Sequence, residues 1–203
     1  MRVEVRPARR DQGDAEAYAG YLDMAAGGLF RSMLGGAMVP VVAEVAMLPA
    51  KDGVTTELSL AHVRMAEVDG RVVGMCSGCV GPTADVAGPF VRAAGVRALR
   101  AGLVALAALP VLRALEQRGP GEWYLQSIAV DAQARGLGVG SLLFEDAIAR
   151  ARAAGAGRLV LDVETRNTRA RALYERLGLR VESTSGKARL AGGAQVHRMG
   201  MDL

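Results

Sequence analysis

Apolar and polar residues alternate from Val3 to Arg9 (VEVRPAR), the period of a half-buried strand. From Asp11 to about Ala50 the apolar positions recur at helical intervals instead, in a stretch rich in alanine and methionine. Gly27-Gly28 and Gly35-Gly36 interrupt it, which predicts two or three short helices. Two alternating segments then flank Asp69-Gly70 in SLAHVRMAEVDGRVVGMCSGCVG. Asp-Gly between such segments is a strong hairpin signal, so two antiparallel strands are expected there. Pro89 to Arg118 reads as helix with an interruption around Pro110, ended by Gly119-Pro120-Gly121. It stands between strands as an insertion, and its low charge predicts packing on the domain itself or on a second subunit.

The order of elements is sharper after Glu122. EWYLQSIAVD reads as a strand, a glycine-bearing turn follows, and LLFEDAIARARAAG continues with helical spacing. RLVLDVET, Arg158 to Thr165, is a further strand. Asn167 to Gly178 is a helix with Asn at its start and Gly at its end, and Ala170, Leu173, Tyr174 and Leu177 fall on one face. LRVESTS and AQVHRMGMDL read as closing strands joined by a turn at Gly192-Gly193. Strand, glycine turn, helix, strand is a βαβ unit whose crossover should be right-handed. One α/β domain over residues 1–203 is the expectation.

Composition narrows the classes. The chain has 203 residues, 51% hydrophobic and 23% charged, which suits one globular domain with a substantial core. The net charge of +4 is modest and the arginines are interspersed with acids, so no nucleic-acid surface is expected. Lys51 and Lys187 are the only lysines, a bias that fits a GC-rich, bacterial coding sequence. No apolar segment follows the arginines of MRVEVRPARR, and the run Ala101–Leu112 is too short to span a bilayer. A soluble cytoplasmic protein with no membrane partner is the expectation. Cys76 and Cys79 form CSGC, but strand residues three apart point to opposite faces and no second Cys/His pair completes a zinc site. Buried structural thiols are expected.

The glycines Gly136, Gly138 and Gly140 follow Arg135 at the start of a helix, where glycine is entropically unfavourable. Close approach of a phosphate to the backbone explains them, because N–H groups at a helix N-terminus and the helix dipole favour an anion. The Gly-Lys-Ser/Thr ending of a P-loop is absent. The dinucleotide fingerprint GxGxxG is broken by Ser141, although Glu164 ends the next strand where a ribose-binding acid would stand. A plain tight turn is the bland alternative.

Arg135-Gly136-Leu137-Gly138-Val139-Gly140, standing after SIAVD and before LLFEDAIARA, resembles the R/Q-x-x-G-x-G/A signature of the GNAT N-acetyltransferase superfamily. The resemblance continues through LDVETRNTRARALYERLGLRV, with Asn167, Ala170, Leu173, Tyr174 and Gly178 in register, and covers Trp123 to Val181 most strongly. It implies a GNAT-like fold: a central mixed sheet with two parallel strands that splay apart, flanked by helices, with the helical insertion (89–118) before the cofactor-binding strand. It also implies acetyl-CoA, or a related acyl-CoA, held in that gap. The backbone of Ile128, Ala129 and Val130 would pair with the pantetheine arm. N–H groups from Arg135, Gly136, Leu137, Gly138, Val139, Gly140 and Ser141 would hold the pyrophosphate. Asn167 and Ala170 would contact the cofactor, and Tyr174 would lie near its sulfur.

By the same resemblance the reaction is direct transfer of the acetyl group to an amine, in a small molecule or at a protein N-terminus. The attacking amine must be neutral, yet an alkyl ammonium has a pKa of about 10, so a base is required. Asp162 occupies the strand position where some relatives carry a glutamate and is the first candidate; Glu122, Glu44, Glu57 and His62 follow. Tyr174 suits the acid that reprotonates the thiolate. The alternative is a non-catalytic acyl-CoA-binding sensor; a nucleotide-binding oxidoreductase is disfavoured by the glycine spacing. A homodimer is compatible with the apolar insertion.

Overall fold

The alternating segments assemble into a seven-stranded sheet of order β1-β2-β3-β4-β5-β7-β6. These are β1 (Val3–Pro7), β2 (Val63–Val68), β3 (Arg71–Val80), β4 (Glu122–Val130), β5 (Arg158–Glu164), β6 (Arg180–Thr184) and β7 (Val196–Asp202). All neighbours are antiparallel except β4 and β5. This is a computed structural model, and it describes residues 3–81, 83–109, 111, 119–188 and 193–203. The β2–β3 hairpin turns at Asp69 and Gly70 with φ of 51° and 78°. Both central residues are therefore left-handed, as the type I′ turn that matches strand twist requires.

Helices cover both faces. On one lie α1 (Gln12–Ala25), α2 (Leu29–Leu34), α3 (Met38–Ala46) and α4 (Ala87–Ala94), which bury Tyr18, Leu22, Leu34, Val42, Val45 and Ala94 against Met65, Met75 and Ala129 of the sheet. The apolar stretch Leu29–Ala46 has the length and composition of a membrane span. In the fold it bends at Gly35, where φ is +61°, and contributes Leu34, Met38, Val42 and Val45 to this core. On the other face α6 (Val139–Ala153) and α7 (Thr168–Arg176) pack Leu143, Phe144, Ala147, Ala151 and Tyr174 against Cys76, Trp123, Leu125, Leu159 and Leu161. Burying each such Leu or Phe contributes about 1.5–3 kcal/mol.

α1 is fastened to the sheet by charge. Arg6 of β1 donates to both oxygens of Asp14 (2.6 and 2.9 Å) and to Glu67 of β2 (2.6 Å). The guanidinium hydrogen bonds hold the Asp14 carboxyl below the usual carboxylate range against the opposing effect of burial. α6 is fastened by Arg150, whose guanidinium lies 5.4 Å from the centre of the Trp123 ring and donates to the carbonyls of His62 and Gly78.

The predicted helix 89–118 differs in detail. It begins at Ala87, breaks at Gly95 (φ 56°) through a 3-10 turn (Gly95–Arg97), and resumes as α5 (Ala98–Ala107). Glycine at this positive φ leaves helical backbone, so α4 ends there. Pro110 and residues 112–118 lie outside the described residues, as does Gly192 of the predicted closing turn; Gly193 beside it has φ of 75°.

A register shift between β3 and β4 decides where the sheet opens. Ser77 pairs with Ser127 but Gly78 pairs with Leu125, so Gln126 is an extra residue and β4 bulges there. Before the bulge Trp123 and Leu125 face α6; after it Ile128 and Val130 do, and Ala129 turns to the opposite core. Val73 is likewise extra in β3 against β2. The tight approach of β3 to β4 leaves no room for side chains at two positions. A Cβ on Gly74 would lie 2.7 Å from the Ala129 carbonyl, and one on Gly78 would lie 2.4 Å from the Trp123 ring and 2.6 Å from the Tyr124 carbonyl. Gly78→Ala is therefore expected to lower stability by about 1–3 kcal/mol, read as a fall in Tm; an unchanged Tm would show that β4 can move away from β3.

Candidate functional site

β4 and β5 pair in parallel only at their beginnings, from Glu122↔Arg158 to Leu125↔Leu161. Beyond the Gln126 bulge β4 pairs with β3 alone and β5 with β7 alone. The two strands thus splay, and the β5-facing edge of residues 126–130 has no strand partner. Alternate backbone groups along that edge are available to an extended ligand. Ile128, Ala129 and Val130 stand there with side chains committed to the two cores, so backbone alone faces the gap.

The chain leaves β4 through a 3-10 turn (Ala132–Ala134) and reaches α6 through the glycines. Gly136 and Gly138 have φ of 84° and 80°, a conformation that L side chains rarely adopt, and a Cβ at either would meet nothing within 4 Å. Their approach side is open. Gly140 has ordinary helical backbone, and a Cβ there would sit 3.9 Å from both Val130 and Leu173. Gly138 is the N-cap of α6 and no side chain caps it. The N–H of Leu142 is the first to bond back into the helix, to the Gly138 carbonyl, leaving those of Val139, Gly140 and Ser141 without intrahelical acceptors. Leu137 is exposed, and Arg135 folds back so that its Nε donates to the Val130 carbonyl at 3.2 Å.

α7 borders the same gap. Asn167 Oδ1 accepts from the Ala170 N–H at 3.1 Å, so the side chain does cap the helix; its Nδ2 is not used by the cap. Ala170 packs against the core that holds Ile128 and Val130. Tyr174 lies 6.1 Å from Phe144 of α6, ring centre to ring centre, and burial raises its phenol pKa, with the Cys76 thiol adding to the rise. Cys76 pairs with Ile128, so the phenol lies over the part of β4 that borders the opening. Neither Cys76 nor Cys79 is in a disulfide; Cys76 is buried, as expected, and Cys79 is half-buried. Burial pushes Cys76 up to about 12, and that thiol is inert in this position.

The five candidate bases separate clearly. Asp162, the first residue of β5 beyond the last parallel pair, has a side chain only 1% exposed, and both its oxygens accept from Arg198 of β7 at 2.9 and 2.8 Å. The same guanidinium lies 5.6 Å from the centre of the Tyr124 ring. Asp162 thus stands at the fork of the two strands and is bound by arginine on both oxygens. Glu122 is at the closed end, held by Arg158 and the Gly119 N–H. Glu44 is exposed on α3, and His62 Nε2 is joined to Thr55 Oγ1 at 2.7 Å. Glu57 is half-buried beside the Tyr18 hydroxyl.

Residues around Tyr18 were not foreseen from the sequence. α1 crosses β4 at the bulge, where the Tyr18 hydroxyl is buried near Ser77, whose Oγ donates to Gln126 Oε1 at 3.2 Å. The only sequence signal was a glutamine amid the apolar residues of EWYLQSIAV. Asp162→Asn would remove the carboxylate charge from this nearly dry ion pair. A loss of about 3–5 kcal/mol is expected in thermal or denaturant unfolding; stability within about 0.5 kcal/mol of wild type would show that the pair holds nothing together.

Among curated proteins no match was found. Solved structures with the same fold include an acetyltransferase (22% identity, 98% of each chain, TM-score 0.65) and an N-acetyltransferase from Staphylococcus aureus Mu50 (15%, 98% of this chain and 100% of that one, TM-score 0.63). An IAA acetyltransferase from Bacillus cereus ATCC 14579 aligns over 100% of this chain and 99% of its own, at 14% identity and a TM-score of 0.55. Residues 46–179 match the family described as the acetyltransferase (GNAT) family, a span that holds the splayed strands, the glycine turn and α7. With more than half of its length in that match, the chain belongs to the GNAT acetyltransferase family.

Proposed function

We propose that this protein transfers the acetyl group of acetyl-CoA to a primary amine, in a small molecule or at a protein N-terminus, by direct attack of the amine. The observation that carries this reading is the open edge of β4 beside the uncapped start of α6. Together they offer an extended arm a strand to pair with and a pyrophosphate a cluster of N–H donors. In this reading Ile128, Ala129 and Val130 pair with the pantetheine arm. The backbone from Arg135 through Gly136, Leu137, Gly138, Val139 and Gly140 to Ser141 takes the pyrophosphate, and Asn167 and Ala170 border the cofactor.

Acetyl-CoA supplies a thioester, and the chain's task is to place it and manage two protons. An N–H of β4 within 128–130 donates to the carbonyl oxygen as negative charge develops there. Tyr174, kept protonated by burial, gives its proton to the sulfur as the C–S bond breaks. Asp162, at the fork, accepts the amine proton through a water when Arg198 yields one of its oxygens. The engagement of Asp162 by Arg198 also supports a second reading, an acyl-CoA-binding module without turnover. Acetylation assayed across a panel of amines separates the two.

Calorimetric titration with acetyl-CoA, with NAD in parallel, tests the first step. Micromolar binding of acetyl-CoA, worth about 8 kcal/mol, is expected, and its absence in folded protein would overturn the reading. Gly138→Asp places a carboxylate at the N-terminus of α6 and should weaken that binding at least ~10-fold; an unchanged affinity would remove the pyrophosphate from this turn. Tyr174→Phe should bind acetyl-CoA normally and lower kcat by about 10²-fold. Undiminished turnover would reduce Tyr174 to a packing residue.

A further inference from the structure

α4 and α5 bury one side and leave the other apolar. Inward, Phe90 meets Phe30 with ring centres 6.4 Å apart, Ala94, Ala101 and Ala108 are buried, and Arg100 Nε donates to the Ser32 carbonyl at 2.9 Å. Outward stand Val96 (92% exposed), Leu99 (77%), Leu103 (63%) and Leu106 (64%), with Val91 beside them. The steps from Val96 to Leu106 are three, four and three residues, the spacing that keeps apolar side chains along a narrow seam between two helices.

We propose that this seam is a homodimer interface, in which α5 of one protomer packs against α5 of a second copy about a two-fold axis. The spacing favours a helix as occupant over a flat apolar surface, because a seam this narrow buries fully only when another ridge of side chains fits beside it. Area points the same way. Five exposed Val and Leu side chains contribute roughly 100 Å² each, so two facing copies bury on the order of 1,000 Å² before any polar rim is counted, the lower bound for a specific interface. A two-fold contact requires one self-complementary patch, and the flank of the seam formed by Ala98, Gly102 and Ala105 lets a second helix come close.

Sedimentation equilibrium of the full chain at up to about 100 μM tests the proposal. The expected mass is twice the 21.2 kDa of one chain. Leu99→Glu with Leu103→Glu sets like charges against each other in the seam and should weaken the dimer at least ~100-fold while leaving the circular dichroism spectrum unchanged. Leu106→Lys, a single exposed change, should weaken it in the same direction. Wild-type protein that stays monomeric would overturn the proposal. So would a dimer that survives both variants, or a monomer recovered on vesicles of phosphatidylglycerol, since a lipid surface would then be the occupant.

Discussion

One unpaired residue in β4 governs the architecture. With Gln126 left over, β4 keeps its ladder to β3 but leaves β5, because a twisted strand cannot hold both registers once its own has slipped by one. The fork has two consequences of opposite kind. It presents backbone donors and acceptors at the centre of a sheet, where they would otherwise be consumed. It also reverses which side chains face which core, so that Ile128 and Val130 continue the packing that Trp123 and Leu125 begin. The opening therefore forms without loss of apolar burial.

Everything around the fork holds it in that shape. Gly74 and Gly78 let β3 press against the bulged strand, α1 crosses it from one face under the restraint of Arg6, and α6 clamps it from the other through Arg150. At the crotch, Asp162 and Arg198 tie β5 to β7 where the parallel pairing ends. A buried ion pair is a poor source of net stability but a strong restraint on register, since any slip strands a charge in a dry site. The same pair sits beside the candidate chemistry, so one contact serves the frame and limits the acid.

Local signals were legible in the sequence and pairings were not. Asp69-Gly70 gave the hairpin because two left-handed residues in succession have few solutions, and Asn167 with Gly178 bracketed α7 because caps act within one turn. The glycine turn was readable for the same reason: Gly136 and Gly138 sit in left-handed backbone whatever binds there. The bulge at Gln126 left no such mark, being a relation between β3 and β4 and not a property of either. The pairing of Asp162 with Arg198, 36 residues away, is set by the β5–β7 register and left no local mark. The break at Gly95 carries the weaker sequence signal, because glycine costs a helix interior about 1 kcal/mol where proline costs about 3.

Trp123 is the chain's single tryptophan, buried on the paired segment of β4 under the guanidinium of Arg150. Its indole thus lies between the strand that forks and the helix whose first turn faces the opening. Excited at wavelengths that tyrosine does not absorb, the protein emits from this one indole, at the joint between those two elements. Any change in how α6 seats on β4 alters the wavelength or quenching of that light, and the molecule carries its own optical gauge of the fork without a label.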